Sequence, residues 1–305
     1  MSEQNPNHFI PRVAIVVSPV NNVMQAFSAV TGTWVSFSGT VQDSGATVLT
    51  GTNVGLVVSP VNNVMQAFSA LTGTWQSLSA TIQDTGAVIR AAGNVGLVVS
   101  PVNNVMQAYS AVTGTWASLA GTVQDTGATV LVGTNVALVV SPVNNLMHAF
   151  SALTGTWQSL TATIQDTGAV IQAAGNVGLV VSPVNNVMQA YSAVTGTWVS
   201  LSATVQDTGA TVLTGTNVAL VVSPVNNVMQ AFSALTGSWQ SLTATIQDTG
   251  AGIQAAGNVG LVVSPVNNVM QAFSAITGTW ASLSATVQDS GASILVGNIA
   301  GTDAG

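Results

Sequence analysis

The stretch VGLVVSPVNNVMQAFSALTGTW, from Val54 to Trp75, decides the fold, because close copies of it recur along the whole chain. Its phrase Ser-Pro-Val-Asn-Asn begins at Ser18, Ser59, Ser100, Ser141, Ser182, Ser223 and Ser264, always 41 residues after the last and without insertion or deletion. Trp34, Trp75, Trp116, Trp157, Trp198, Trp239 and Trp280 keep the same register. A period of about 40 to 45 residues built of short strands is the signature of propeller blades. Helical repeats of similar length are the competitor. Each unit carries β-branched runs, a Pro and several Gly, with no helix-length periodic stretch, and this excludes them.

One unit reads as four strands. In the second unit, Ala87 to Ala91 is apolar and lies between Gly86 and Gly93. Val95 to Val99 follows a short Gly93-Asn94 turn, a hairpin signal. Ser100 to Asn104 is a loop in which Pro and Asn each supply turn chemistry. Val105 to Ala111 is a third strand, and Thr113-Gly114 turns it into a fourth running from Trp116 to about Val123. Both faces of these strands are apolar or small, the pattern of sheets covered on both sides by neighbours. The expected fold is all-β: a seven-bladed β-propeller with four antiparallel strands per 41-residue blade. Ala14 to Val17 matches a second strand with no first strand before it, and Ser293 to Val296 matches a first strand with no complete second strand after it. Pairing these two in one blade would remove the open edges. The expected organisation is an N-terminal extension over 1–12, one propeller over 13–298 and a tail over 299–305.

Phe68 to Trp75 (FSALTGTW) resembles the third-strand, turn and Trp segment of kelch repeats, and Ala46 to Val58 is similar to their first two strands. The likeness covers all seven units, but Ser59-Pro60 stands where kelch repeats carry a di-glycine. The Ala-Phe-Ser-Ala-Leu-Thr-Gly stretch is also similar to quinoprotein-type propeller repeats, with the Trp closer to the Gly here. The resemblance implies fold and carries no functional residue across.

Composition narrows function by exclusion. Charged residues are 4% of the 305, there is no Lys, and Arg12 and Arg90 are the only strong cations in a chain of net charge -7. With no basic patch, neither nucleic acid nor an anionic membrane surface is an expected partner. Cys is absent, so no disulfide or thiolate chemistry is available. No basic stretch followed by a long apolar run opens the sequence, so no signal peptide is expected and cytoplasmic residence is the default. A two-unit rhythm runs through the repeat. Odd units carry Leu49, Leu131, Leu213 and Leu295 where even units carry Arg90, Gln172 and Gln254. It reads as a trace of doublet amplification.

Two sets of polar residues are candidates for ligand binding. Asp43, Asp84, Asp125, Asp166, Asp207, Asp248 and Asp289 recur in Gln-Asp-Thr/Ser-Gly turns. They would emerge on the same blade ends as the pairs Asn21-Asn22, Asn62-Asn63, Asn103-Asn104, Asn144-Asn145, Asn185-Asn186, Asn226-Asn227 and Asn267-Asn268. Carboxylates beside amides suit hydrogen-bonding ligands such as sugar hydroxyls. The competing reading is turn chemistry, since Asp and Asn bond their own backbone and Asn tolerates left-handed conformations. The Trp ring is expected to pack between blades, with ligand stacking the alternative. The Met ring, from Met24 to Met270, is expected to fill the core. His148 replaces a recurrent Gln and stands alone, and Arg90 is a lone cation on an inner strand. No metal, cofactor or catalytic set is expected, because near-identical blades give every Asp the same surroundings whereas acid–base pairs need different ones. The expected function is a non-enzymatic, monomeric binding scaffold for a protein or glycan. The alternatives are a multivalent lectin with one weak site per blade, or a recently amplified propeller without an evolved ligand.

Overall fold

The computed structural model describes residues 11–39, 45–59, 63–79, 86–100, 103, 105–120, 127–141, 144–161, 168–182, 187–202, 210–223, 228–243, 251–264, 269–284 and 294–297. Among them there are strands and turns and no helix, hence none long and apolar enough to cross a membrane. The chain divides into two compact units, Ile10–Ala162 and Thr163–Gly305 with Met1–Phe9.

In the first of these units the strands form four sheets. The first holds β1 (Val13–Ser18), β2 (Val23–Ser28) and β3 (Thr33–Ser38). The second holds β4 (Thr47–Thr50), β5 (Val54–Ser59), β6 (Val64–Ser69) and β7 (Thr74–Ser79). The third holds β8 (Val88–Ala92), β9 (Val95–Ser100), β10 (Val105–Ser110) and β11 (Thr115–Ala120). The fourth holds β12 (Thr129–Val132), β13 (Val136–Ser141), β14 (Leu146–Ser151) and β15 (Thr156–Thr161). Three sheets make the other unit. They are β16 (Val170–Ala174) to β19 (Thr197–Ser202) through β17 (Val177–Ser182) and β18 (Val187–Ser192); β20 (Thr211–Thr214) to β23 (Ser238–Thr243) through β21 (Val218–Ser223) and β22 (Val228–Ser233); and β24 (Gly252–Ala256) to β27 (Thr279–Ser284) through β25 (Val259–Ser264) and β26 (Val269–Ser274).

Every sheet is an antiparallel meander in sequence order, the blade architecture of a seven-bladed β-propeller. The first sheet has three described strands. Of the strand expected to complete it, Ser293 lies outside the described residues, and Ile294–Val296 is held beside β24 by Gln254 without being a strand itself. The register repeats from blade to blade: Phe68 lies opposite Trp75 and Gly55, as Phe150 lies opposite Trp157 and Ala137.

Burial explains the composition. The second and third strands are buried along their length in the interior sheets, so polar alternation would have cost stability on either face. Their side chains interdigitate between consecutive sheets. Val95, Leu97, Val99, Met106 and Ala108 of the third sheet meet Ala137, Val139 and Phe150 of the fourth. Val177, Leu179, Val181 and Met188 meet Ala219, Val221 and Phe232 in the other unit. Met24, Met65, Met106, Met147, Met188 and Met229 are fully buried, as expected of core filling, whereas Met270 is half-buried. Each such side chain contributes roughly 1.5–3 kcal/mol. A face made of Ala and Ser opposite Phe, Leu and Met lets one blade's large residues sit over the next blade's small ones.

Candidate functional site

The Asn loops are partly described. Asn22, Asn63 and Asn145, the second members of their pairs, have φ of 54°, 57° and 58°, left-handed values that a short amide side chain tolerates. Asn103, a first member, donates its Nδ2 to Ser100 Oγ at 3.2 Å within its own loop. Where the loops are described, the Asn residues thus have the geometry of turn formers. Asn21 and Asn144 also fall within the described residues, whereas Asn62, Asn104, Asn185, Asn186, Asn226, Asn227, Asn267 and Asn268 lie outside them. The whole Asp set, Asp43, Asp84, Asp125, Asp166, Asp207, Asp248 and Asp289, also lies outside the described residues. Among the described residues no three His, Cys, Asp or Glu side chains come together.

Three other sets of recurrent polar side chains are engaged between blades. In five blades the Ser that ends the third strand donates its hydroxyl to the Ala carbonyl of the next blade, as Ser69 does to Ala111 and Ser110 to Ala152, both at 2.6 Å. The same Ser69 oxygen accepts from the backbone N–H groups of Leu71 and Thr72, which sets the turn leading to the fourth strand. The Asn in the turn between the first and second strands of a blade forms a ladder. Asn53 Nδ2 donates to Asn94 Oδ1 at 2.6 Å and Asn94 Nδ2 to Asn135 Oδ1 at 2.5 Å. Asn176, Asn217 and Asn258 repeat it in the other unit. Backbone bonds from Asn53 N–H to the Gly93 carbonyl and from Asn94 N–H to the Thr134 carbonyl run beside it, each 2.8 Å.

The Trp residues point the other way along the chain. Trp75, Trp116 and Trp157 donate their indole N–H groups to the carbonyls of Val35, Gln76 and Ala117 on the preceding blade's outermost strand, at 3.1–3.3 Å. Trp239 and Trp280 do the same to Val199 and Gln240. Each ring also packs tilted on the Phe or Tyr of its own sheet, with centroids 5.3–5.4 Å apart for Trp75, Trp116 and Trp157. These indoles hold blade to blade, as the structural reading of the Trp ring expects. They also occupy a carbonyl on an edge strand that would otherwise stand open to strand addition.

The two-unit rhythm has a physical role that the sequence reading did not assign. Gln172 Nε2 donates to the Val212 carbonyl at 3.2 Å. Gln254 spans the Ile294 carbonyl and the Val296 N–H, both at 2.8 Å, and so holds Ile294–Val296 beside β24. In two even blades the Gln at this position thus bonds the adjacent segment, while the odd blades carry Leu there. Arg90 takes the same register in β8 and is exposed. A cavity of about 340 Å³ lies between Leu213, Ile253, Ala255 and Leu295, and the Gln254 amide in its wall is already committed to those two backbone bonds.

Three buried groups depart from the repeat. His148 stands where other blades carry Gln, and its Nδ1 is 2.8 Å from Ser159 Oγ. Burial pushes its pKa below the ordinary imidazole value. Tyr109 and Tyr191 stand where other blades carry Phe. Their hydroxyls are buried without a partner, and burial pushes their pKa values well above the phenol range.

No family model matches the chain, and no curated protein matches it. Among solved structures it is similar to Hsv2 of Kluyveromyces lactis at 11% identity, covering 76% of this chain and 74% of that one with a TM-score of 0.31. A catalytically inactive virginiamycin B lyase from Staphylococcus aureus with quinupristin matches at 13% identity, 85% and 93% coverage and a TM-score of 0.32. Apo AztD from Citrobacter koseri matches at 8% identity, 87% and 92% coverage and a TM-score of 0.28. These are β-propeller proteins. At such scores the likeness carries no argument, and the seven blades rest on the strand ladders.

Proposed function

We propose that the chain is a non-enzymatic binding scaffold whose partner, a protein or a glycan, is met by the loops that carry the Asn pairs and the Asp turns. One observation carries the reading. The third-strand Ser, the Trp indoles and the hairpin Asn are engaged in joining blades, for example Ser69 to Ala111, Trp116 to Gln76 and Asn53 to Asn94. The Ser-Pro-Val-Asn-Asn and Gln-Asp-Thr/Ser-Gly segments are the repeated stretches of the sequence that bring paired amides and carboxylates. Repetition makes weak contacts additive through avidity, provided the partner is itself extended or multivalent.

The test is a variant with the first Asn of each pair and each turn Asp replaced by Ala, compared with the native chain on a glycan array and in protein capture. Loss of binding with an unchanged melting temperature supports the loops as the binding surface. Binding that survives intact refutes it. A protein partner with no sugar retained removes the lectin alternative.

A further inference from the structure

Five blades carry the same small polar contact inside their sheets. The hydroxyls of Ser77, Ser118, Ser200, Ser241 and Ser282 donate to the side-chain oxygens of Gln66, Gln107, Gln189, Gln230 and Gln271. A Gln amide is neutral at every pH, so this contact does not titrate. In the fourth sheet the pair is His148 with Ser159, in the same ladder position. The chemistry changes there. If Ser159 donates as its counterparts do, His148 Nδ1 is the acceptor and the neutral ring carries its proton on Nε2. That Nε2 is buried with no partner, on a residue 3% exposed.

Among the described residues, the ring's surroundings offer no counter-ion to a charge. His148 lies opposite Val139 and shares a face of the sheet with Phe150. Val139 and Phe150 pack against Val95, Leu97, Val99, Met106 and Ala108 of β9 and β10, with Val88 of β8 and Leu119 of β11 at the margin. On the ring's own sheet, Trp157 of β15 and Val130 of β12 join the same cluster. The one charged residue that the described elements carry on this face is Arg90 of β8, opposite Leu97; it is exposed and itself a cation, so it gives a second positive charge no support. A second proton would turn Nδ1 from acceptor to donor, force Ser159 to reverse its hydroxyl, and leave a cation with an unpaired N–H facing an apolar layer.

We propose that His148 makes the joint between the third and fourth sheets acid-sensitive, so that this joint weakens in mildly acidic surroundings while the Gln-bearing joints do not. The sign follows from the proton count. The unfolded chain binds a proton at His148 near pH 6.5, whereas the folded chain resists it because burial lowers the group's pKa. Stability is therefore full above about pH 6.5 and declines as pH falls below it. The decline is at most about tenfold in the folding equilibrium per pH unit for one proton, and it ends once the folded ring itself charges.

The test compares the native chain with H148Q, which installs the residue of the other blades and so keeps the fold. Folding midpoints in urea are measured from pH 8 to pH 5, with amide hydrogen exchange read at β14 and β15. The native chain is expected to lose stability below about pH 6.5 with faster exchange in those strands, and H148Q to stay flat over the same range. Equal loss in both chains, or exchange that rises equally in every blade, overturns the proposal. So does direct titration of His148 at the unfolded value in the native chain.

Discussion

Replacing Tyr109 by Phe should make the protein more stable, although it removes a polar group from a folded chain. Tyr109 is fully buried between the second and third sheets, among Val54, Leu56, Val58 and Met65, with its ring 5.3 Å from that of Trp116. Its counterparts Phe68, Phe150, Phe232 and Phe273 fill equivalent places and are as well buried. The pocket is thus complete without the hydroxyl, which meets no partner. A buried hydroxyl left unbonded costs about 1–3 kcal/mol, and filling the site with Phe gives back only a little packing around the lost oxygen. A net gain of about 1 kcal/mol follows, read as a higher urea midpoint at an unchanged slope. The same burial has an alkaline signature. The unfolded phenol ionises near pH 10 and the folded one well above it, so stability from this group is present below about pH 10 and is lost as pH rises through that range. The chain has two Tyr, both buried, so the pH-dependent rise in absorbance at 295 nm, above the constant contribution of the seven Trp, follows these phenols. The folded protein should show no phenolate at pH 10. A loss of 1 kcal/mol or more in Y109F, or ionisation near pH 10 in the folded chain, would refute the reasoning by showing that the hydroxyl is hydrogen-bonded.

Two further substitutions probe the joints. Gly93 has φ of +50°, and a methyl group there would come within 2.4 Å of the Thr134 carbonyl oxygen in the next blade, so Gly93→Ala should cost at least about 2 kcal/mol, measured as a lowered urea midpoint. Ser110→Ala removes the donor to the Ala152 carbonyl and the acceptor for two backbone N–H groups, and a loss of about 1–3 kcal/mol is expected in thermal or urea unfolding.

The strands were legible because their physics is local. Val95 to Val99 and Val105 to Ala111 were read from apolar runs between turn residues, and they stand in the structure as β9 and β10 with ends moved by one residue. The fourth strand of that blade starts at Thr115, one residue before Trp116, because the turn ends at Gly114. The core role of the Met ring was legible for the same reason. The joints were not. Ser110 looks like a turn residue in sequence, and nothing local says that its hydroxyl reaches 42 residues ahead to Ala152. Asn94 reads as half of a hairpin turn, yet its amide belongs to a ladder whose rungs are 41 residues apart. The available signal was that Asn53, Asn94, Asn135, Asn176, Asn217 and Asn258 never vary across turns that otherwise alternate between Gly-Thr-Asn and Ala-Gly-Asn. A residue needed only for its backbone would have tolerated Gly or Asp there.

The direction of these bonds says why the repeats stay so alike. Ser and Asn side chains reach one blade ahead, and Trp indoles reach one blade back. Each interior blade is therefore donor to both neighbours and acceptor from both, and a blade can change a joint residue only if its neighbour still offers the matching group. His148 for Gln and Tyr109 for Phe alter groups whose polar atoms make no bond to the next blade, so these positions can drift without a matching change elsewhere. Substitutions at Ser110 or Asn94 carry no such freedom, since each leaves a buried partner unpaired on another blade. Stability in such an array is a sum of nearest-neighbour terms, which leaves the loops between blades as the part of the sequence that can be altered for binding without loosening a joint.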